Sequence, residues 1–258
     1  MRRKPLAGKG IVVTRPPHQA GELARRIKAA GGRPLLFPTI EIRDIVDSVP
    51  LLALVDRLDQ FDLAIFVSPN AAERGMALVN ARRTWPARLK IAAVGSGSVE
   101  VLERHGMTGV MAPGGRNDSE ALLDLPALSL VFGRRIVVFR GVGGRELLSE
   151  TLQDRGAIVE YAECYQRVRP ELDVGLLLRD WAGNKVHAVT ITSSEGLRNL
   201  FEMVGAEGRA RLQLTPLFVP HPRIADAAGR LEVQRVIVTG PGDEGLVTGL
   251  AAYFNARR

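Results

Sequence analysis

GIVVTRPPHQAGELARRIKAAGGRPLLFPTIEI, residues 10–42, and RIVVFRGVGGRELLSETLQDRGAIVEYAECYQR, residues 135–167, are two versions of one pattern. Aligned at an offset of 125 they pair Arg15 with Arg140, Gly31 with Gly156 and Ile40 with Tyr165. The offset holds outward from there without a gap. FDLAIFVSPNAAERG (61–75) falls on VHAVTITSSEGLRN (186–199), placing Ser68 over Ser193. IAAVGSGSVEVLE (91–103) falls on PLFVPHPRIADAA (216–228), and GGRNDSEALL around Asp118 falls on GPGDEGLV around Asp243. Four units recurring in the same order make two sibling domains of one fold.

Each unit has a short β-branched run, a small or polar turn and a helical pattern. Such runs are Ile11–Val13, Leu63–Val67, Ile136–Phe139, Ala188–Thr192 and Val236–Thr239. They are almost continuously apolar, as parallel strands covered on both faces are, whereas half-solvated antiparallel strands alternate. The expected fold class is α/β, with two similar doubly wound parallel sheets. Asn70, Ser96, Ser98, Asp118, Ser194 and Asp243 are expected to mark helix starts, because their side chains can take up the first free amides. Gly31, Gly106 and Gly156 are expected just past helix ends.

The 258 residues are 46% hydrophobic and 24% charged, which excludes a disordered, collagen-like or coiled-coil chain. The start Met1-Arg2-Arg3-Lys4-Pro5 lacks a signal-peptide apolar region, and no apolar run reaches the roughly 18 residues of a membrane span. A cytoplasmic protein with no membrane partner is expected. One cysteine, Cys164, excludes an internal disulfide and multi-thiolate metal sites, and the four histidines have no ligand spacing. No metal and no cofactor are expected. The net charge of +7 admits polyanionic partners. Nucleic acid is not among them: aromatics are 5% and the arginines are scattered.

In an open parallel sheet ligands bind beyond the carboxyl ends of the strands, where loops and helix N-termini present free N–H groups. Those loops here carry Ser, Thr, Gly and Arg, so an anionic ligand is expected between the two domains. Gly240, Gly242 and Gly245 form a G-x-G-x-x-G, but no second strand and no acidic residue about 20 positions on follow them. There is no Walker A sequence and no G-x-S-x-G elbow. Dinucleotide, ATP and serine-nucleophile chemistry are not indicated.

The stretches IVVTRP, FDLAIFVSPNAA, IAAVGSGS, RGVGGRELL, LQDRGAIVEYAECYQRVRP, TITSSEGL, VPHPRIADAA and GPGDEGLV, in this order, resemble the uroporphyrinogen-III synthase family along nearly the whole chain. The resemblance implies a chain that starts in one domain, crosses to the second and returns on a two-strand connector. That gives residues 1–37 with 169–258 as one domain and 38–168 as the other. It implies a cofactor-free lyase that closes hydroxymethylbilane, a linear tetrapyrrole with eight carboxylates, to uroporphyrinogen III with ring D inverted and water lost. Ring A loses its hydroxyl to form an azafulvene that attacks the substituted carbon of ring D through a spiro intermediate.

By resemblance Tyr165 is the general acid for that hydroxyl. Substrate binding falls to Ser68, Ser98, Arg140, Gly144, Arg145, Ser193 and Arg223, of which Ser68 and Ser193 match family serines while Arg223 stands where other members carry threonine. Expected partners are hydroxymethylbilane and, in transient contact, the enzyme that supplies it, with the protein itself a monomer. The alternative reading is a non-catalytic tetrapyrrole or polyanion binding module of the same fold, and Tyr165 is the residue that separates the two.

Overall fold

A computed structural model describes residues 4–116, 118–144 and 146–257. They cluster into two compact units, Met1–Glu41 with Val168–Arg258, and Ile42–Arg167.

In chain order the first unit begins with β1 (Gly10–Val13), α1 (Pro17–Ala29) and β2 (Arg33–Leu36). The second contributes β3 (Glu41–Arg43), α2 (Val49–Asp56), β4 (Leu63–Phe66), α3 (Pro69–Arg82), β5 (Lys90–Ala93) and α4 (Ser96–Arg104). It continues with α5 (Ser119–Leu123), α6 (Pro126–Ser129), β6 (Arg135–Gly141), α7 (Leu147–Asp154) and β7 (Ile158–Val168). The chain then completes the first unit with α8 (Gly175–Ala182), β8 (Ala188–Thr190), α9 (Ser194–Met203), α10 (Gly205–Leu214), β9 (Leu217–Val219), α11 (Pro222–Gly229), β10 (Val236–Val238) and α12 (Gly242–Asn255).

The sheet orders are β10-β9-β8-β1-β2 and β3-β7-β6-β4-β5. β3 and β7, which flank the two chain passages between units, are neighbours in the second sheet. The repeat is visible in the register itself. Gly10 pairs with Arg33 as Arg135 pairs with Ile158, and Ile11 pairs with Ala188 as Ile136 pairs with Leu63, all in parallel. Ala92 bridges Met111 where Leu217 pairs with Val236, so Met111 is a vestige of β10. One departure from the gapless offset exists: Ala64 pairs with Ile91 but Val189 with Leu217, so β9 has slid one residue along β8.

Helices cover both faces of each sheet, as the apolar runs require. In the second unit Ala64, Phe66, Val137 and Phe139 face α2, α3 and α4, while Leu63, Ile65, Ile136 and Val138 face α5, α6 and α7. Alternate residues of one strand thus enter two cores. Gly75 of α3 is a close-approach position: a Cβ there would lie 2.6 Å from the Phe139 ring, which itself stacks on Phe66 at 4.5 Å. In the first unit Val12, Val189 and Leu217 face α8–α11, and Ile11, Val13, Ala188 and Phe218 face α1 and α12.

Helix ends follow the glycines, with Gly31, Gly106 and Gly156 at φ of +91°, +82° and +83° just past α1, α4 and α7. Of the expected helix starts only Asp118 is a cap residue. The side chains that cap are Ser68, Asp118, Ser193 and His221, accepting from the amides of Ala71, Ala121, Gly196 and Arg223, whereas Asn70 and Ser194 already lie inside their helices. Pro69 at the first position of α3 fixes the boundary, because its ring pre-sets the helical φ and its missing N–H costs nothing there. Ser96 and Ser98 lie within α4, whose cap position is Gly95, and Asp243 lies within α12 behind Pro241.

Candidate active site

Along the second unit the chain runs from β4 outward to β5 and from β6 in the opposite direction to β7, so the strand order reverses between β4 and β6. Ligands in doubly wound sheets bind beyond the carboxyl ends at such a reversal. A cavity of about 310 Å³ opens there, lined by Val67 after β4, by Val138, Arg140 and Gly141 of β6, by Gly143 and Gly144, by Ser119, Leu148 and Ser149, and by Tyr165 and Arg167 of β7.

A β-bulge brings Tyr165 to this place. Arg140 pairs with Glu163 but Gly141 pairs with Tyr165, so Cys164 is the extra residue. Strict alternation would put Tyr165 on the face opposite Ala162 and Cys164, yet all three lie in one core. The bulge also fixes what can stand opposite. A Cβ on Gly141 would lie 2.7 Å from both Cε2 and Cζ of Tyr165 and 3.1 Å from its hydroxyl oxygen, so only glycine leaves room for the ring.

Tyr165 is fully buried. Its hydroxyl lies 3.1 Å from Ser68 Oγ, and Arg167 Nη2 donates to it at 3.2 Å with the guanidinium 5.7 Å from the ring centroid. Ser68 Oγ also accepts from the Ala71 amide at 3.1 Å. A hydroxyl oxygen carries two acceptor lone pairs and one proton, so the cap is compatible with the Tyr165 contact. Cys164 beside it is no nucleophile, since burial pushes its thiol up to about 12.

The other expected residues divide sharply. Arg140 is buried and engaged within the loop after β6: Nε donates to the Gly143 carbonyl at 3.1 Å, Nη1 reaches the Glu146 carboxylate at 3.2 Å, and the guanidinium stacks 4.6 Å from the Tyr161 ring. Glu146 is held below its ordinary carboxylate value, first by the Tyr161 hydroxyl and then by Arg140. Arg140 thus ties down the loop that Gly143 and Gly144 turn through, at φ of +69° and +113°. Gly144 is exposed at the cavity rim. Ser98 is 98% shielded from solvent in the first turn of α4 and does not line the cavity. Arg145 lies outside the described residues.

Ser193 and Arg223 belong to the first unit, described by itself. Ser193 caps α9 at the end of β8, and Arg223 is exposed in the first turn of α11, where its amide donates to His221 Nδ1. The strand reversal of this unit, between β1 and β8, is occupied by its own groups. The Thr14 hydroxyl donates to the Thr190 carbonyl, the Thr190 hydroxyl to Val12, and Arg15 is paired with Asp243 at 2.5 Å. The siblings have therefore diverged where it matters. One has a pocket lined by a tyrosine, and the other has threonine hydroxyls bonded across its strands and an Arg15–Asp243 pair, with Ile40 at the matching position.

Residue reading missed Arg167 and Ser149, and the steric role of Gly141 within the loop at residues 140–145. Arg167 was within reach, because it stands two residues after Tyr165 on a strand and so shares its side. Neither Ser149 nor the steric role of Gly141 carried a signal without the bulge.

Comparison with known proteins gives the family and the fold. A family model described as HEM4, uroporphyrinogen-III synthase HemD, matches residues 21–248. The uroporphyrinogen-III synthases of Salmonella typhimurium and Escherichia coli are 34% and 32% identical, each over 90% of this chain and 96% of the relative. Among solved structures, a mutant uroporphyrinogen III synthase from Thermus thermophilus shares the fold at a TM-score of 0.63 and 18% identity, covering 96% of this chain and 98% of that one. The Helicobacter pylori uroporphyrinogen-III synthetase does so at 0.59 and 14%, covering 97% and 100%. Given a model match across most of its length and relatives above 30% identity over nine-tenths of it, the chain belongs to the uroporphyrinogen-III synthase family.

Proposed function

We propose that the chain closes hydroxymethylbilane to uroporphyrinogen III, with loss of water and inversion of ring D, and that Tyr165 is its general acid. The observation that carries the assignment of Tyr165 is its placement: a phenol at the strand reversal of a parallel sheet, on the wall of a cavity, with a partner on either side of its oxygen. Hydroxide is a poor leaving group, and a positioned proton donor on the ring A hydroxyl turns it into water as the C–O bond breaks. The pyrrole N–H proton lost as the azafulvene forms balances the one donated. The alternative of a non-catalytic binding module is not favoured, because a bare binding site has no use for a bulge and a glycine devoted to seating one hydroxyl.

Recognition of the carboxylates is assigned to the loop after β6 with Gly144 and Arg145, to Ser68 and, on the first unit, to Ser193 and Arg223. Capping serines keep their own O–H to donate, and helix N-termini favour negative charge. Arg140 supports the same loop from beneath. Ser98, shielded in α4, would act only by holding that helix start in place. Because hydroxymethylbilane also closes spontaneously, the enzyme is proposed to work as a cytoplasmic monomer in transient contact with the enzyme that supplies it.

Charge-based recognition has a measurable signature. The KM for hydroxymethylbilane should rise with ionic strength while kcat holds, because exposed guanidinium–carboxylate attraction is screened over about 10 Å at 0.1 M salt. A KM indifferent to salt would move recognition from arginine charge to amide and hydroxyl donors.

A further inference from the structure

We infer that Arg167 is a positioning residue for the reaction: it holds the Tyr165 hydroxyl in its donating orientation and stabilises the phenolate left after proton transfer. This inference rests on the assignment of Tyr165 as the acid.

The geometry points to it in three ways. Arg167 Nη2 donates to the Tyr165 oxygen at 3.2 Å, and because a guanidinium has donors and no acceptor, the phenol can only receive from it. The phenol's own proton is thereby directed elsewhere, toward Ser68 Oγ or toward a ligand hydroxyl that takes its place. Second, the charge is available. Among the described residues no carboxylate lies in ion-pair range of Arg167, whereas Arg140, the other described arginine lining the cavity, is paired with Glu146. A guanidinium already neutralised would do little for a phenolate. Third, the strand fixes the approach. Residues i and i+2 share a face, and β7 is anchored at the bulge by the Val142 amide donating to the Tyr165 carbonyl at 2.8 Å.

The step balances without any further reactant. The Tyr165 O–H bond breaks as its proton goes to the departing oxygen, and the C–O electron pair leaves with that oxygen as water. The phenolate then carries the negative charge 3.2 Å from a fixed positive one, until the proton lost from the pyrrole nitrogen restores the phenol. Charge-assisted hydrogen bonds to an oxyanion are about twice as strong as neutral ones, so the contact strengthens as the proton leaves, which is the condition for accelerating the chemical step.

The test is a double-mutant cycle on the full chain, Arg167→Met against Tyr165→Phe, with kcat and KM measured separately. Arg167→Met should lower kcat roughly 10- to 100-fold, less than the roughly 100- to 1000-fold for a donor in a dry site because Arg167 is exposed. KM should change little, Arg167→Lys should recover part of kcat, and thermal melting should match the parent. In the Tyr165→Phe background the same substitution should cost no further kcat. A rise in KM that persists in that background, with kcat unchanged, would overturn the inference and make Arg167 a carboxylate ligand. If Tyr165→Phe itself leaves kcat unchanged, the assignment of the acid fails, whereas a damaged Tyr165→Phe beside an unaffected Arg167→Met condemns Arg167 alone.

Discussion

Tyr165→Phe should lower kcat by roughly 100- to 10,000-fold, the usual contribution of a positioned general acid, while the chain folds and binds as before. The substitution removes one oxygen from a buried ring and leaves the ring's packing in place. Ser68 keeps its bond from the Ala71 amide, and Arg167 is exposed enough to be satisfied by water, so neither partner is stranded. The stability cost is then that of one ordinary hydrogen bond, about 1 kcal/mol, too little to account for lost turnover. The check is kcat alongside a melting curve and a direct binding measurement. An unchanged kcat would remove Tyr165 from the acid role.

Gly141→Ala should do comparable damage by a different route. Its Cβ would stand 2.7 Å from two ring carbons of Tyr165, inside any real carbon–carbon contact. β6 cannot yield, being paired to β4 on one side and β7 on the other, so the ring must move. Forcing a methyl into a packed site costs about 1–3 kcal/mol, and displacing a catalytic group by about 1 Å can cost about 100-fold in rate. Lower stability and a fall in kcat of that order are expected together. Gly114→Ala, where a Cβ meets nothing within 4 Å, is the matching control and should change neither. Full activity in Gly141→Ala would show that the hydroxyl need not sit where the bulge puts it.

Fold legibility came from the repeat. β-branched runs and helix-end glycines are written directly in the sequence, and the parallel registers of β1 and β6 with their neighbours recur at the same offset of 125. The slide of β9 along β8 was not legible, because one residue of slip between two uniformly apolar strands leaves no mark on composition. Site legibility was poorer for a related reason. The bulge at Cys164 inverts the alternation that sequence reading relies on, so Tyr165 was reached through family resemblance, and Gly141 was reached only as part of a glycine-rich strand-end loop, without its steric role against the ring.

Arginine was ambiguous in the opposite sense. Arg140 and Arg167 are the same residue type near the same pocket, yet Arg140 is buried on Glu146 and the Gly143 carbonyl, while Arg167 donates to the phenol and has no carboxylate in ion-pair range among the described residues. Which arginine is spent on structure depends on what the following loop turns back to offer, and spacing does not record that. At Ser68 the signal was present and misplaced: Pro69 suits the first helical position, which makes Ser68 the cap, although the helix start was expected at Asn70.

The central claim, that this pocket directs a cyclisation that would otherwise go astray, is tested most directly by the identity of the product. Freshly generated hydroxymethylbilane incubated with the protein, without added metal or cofactor, should yield the type III isomer, separable from type I by chromatography after oxidation to the porphyrin. Type I alone, the product of spontaneous closure, at protein concentrations that saturate binding would contradict the account.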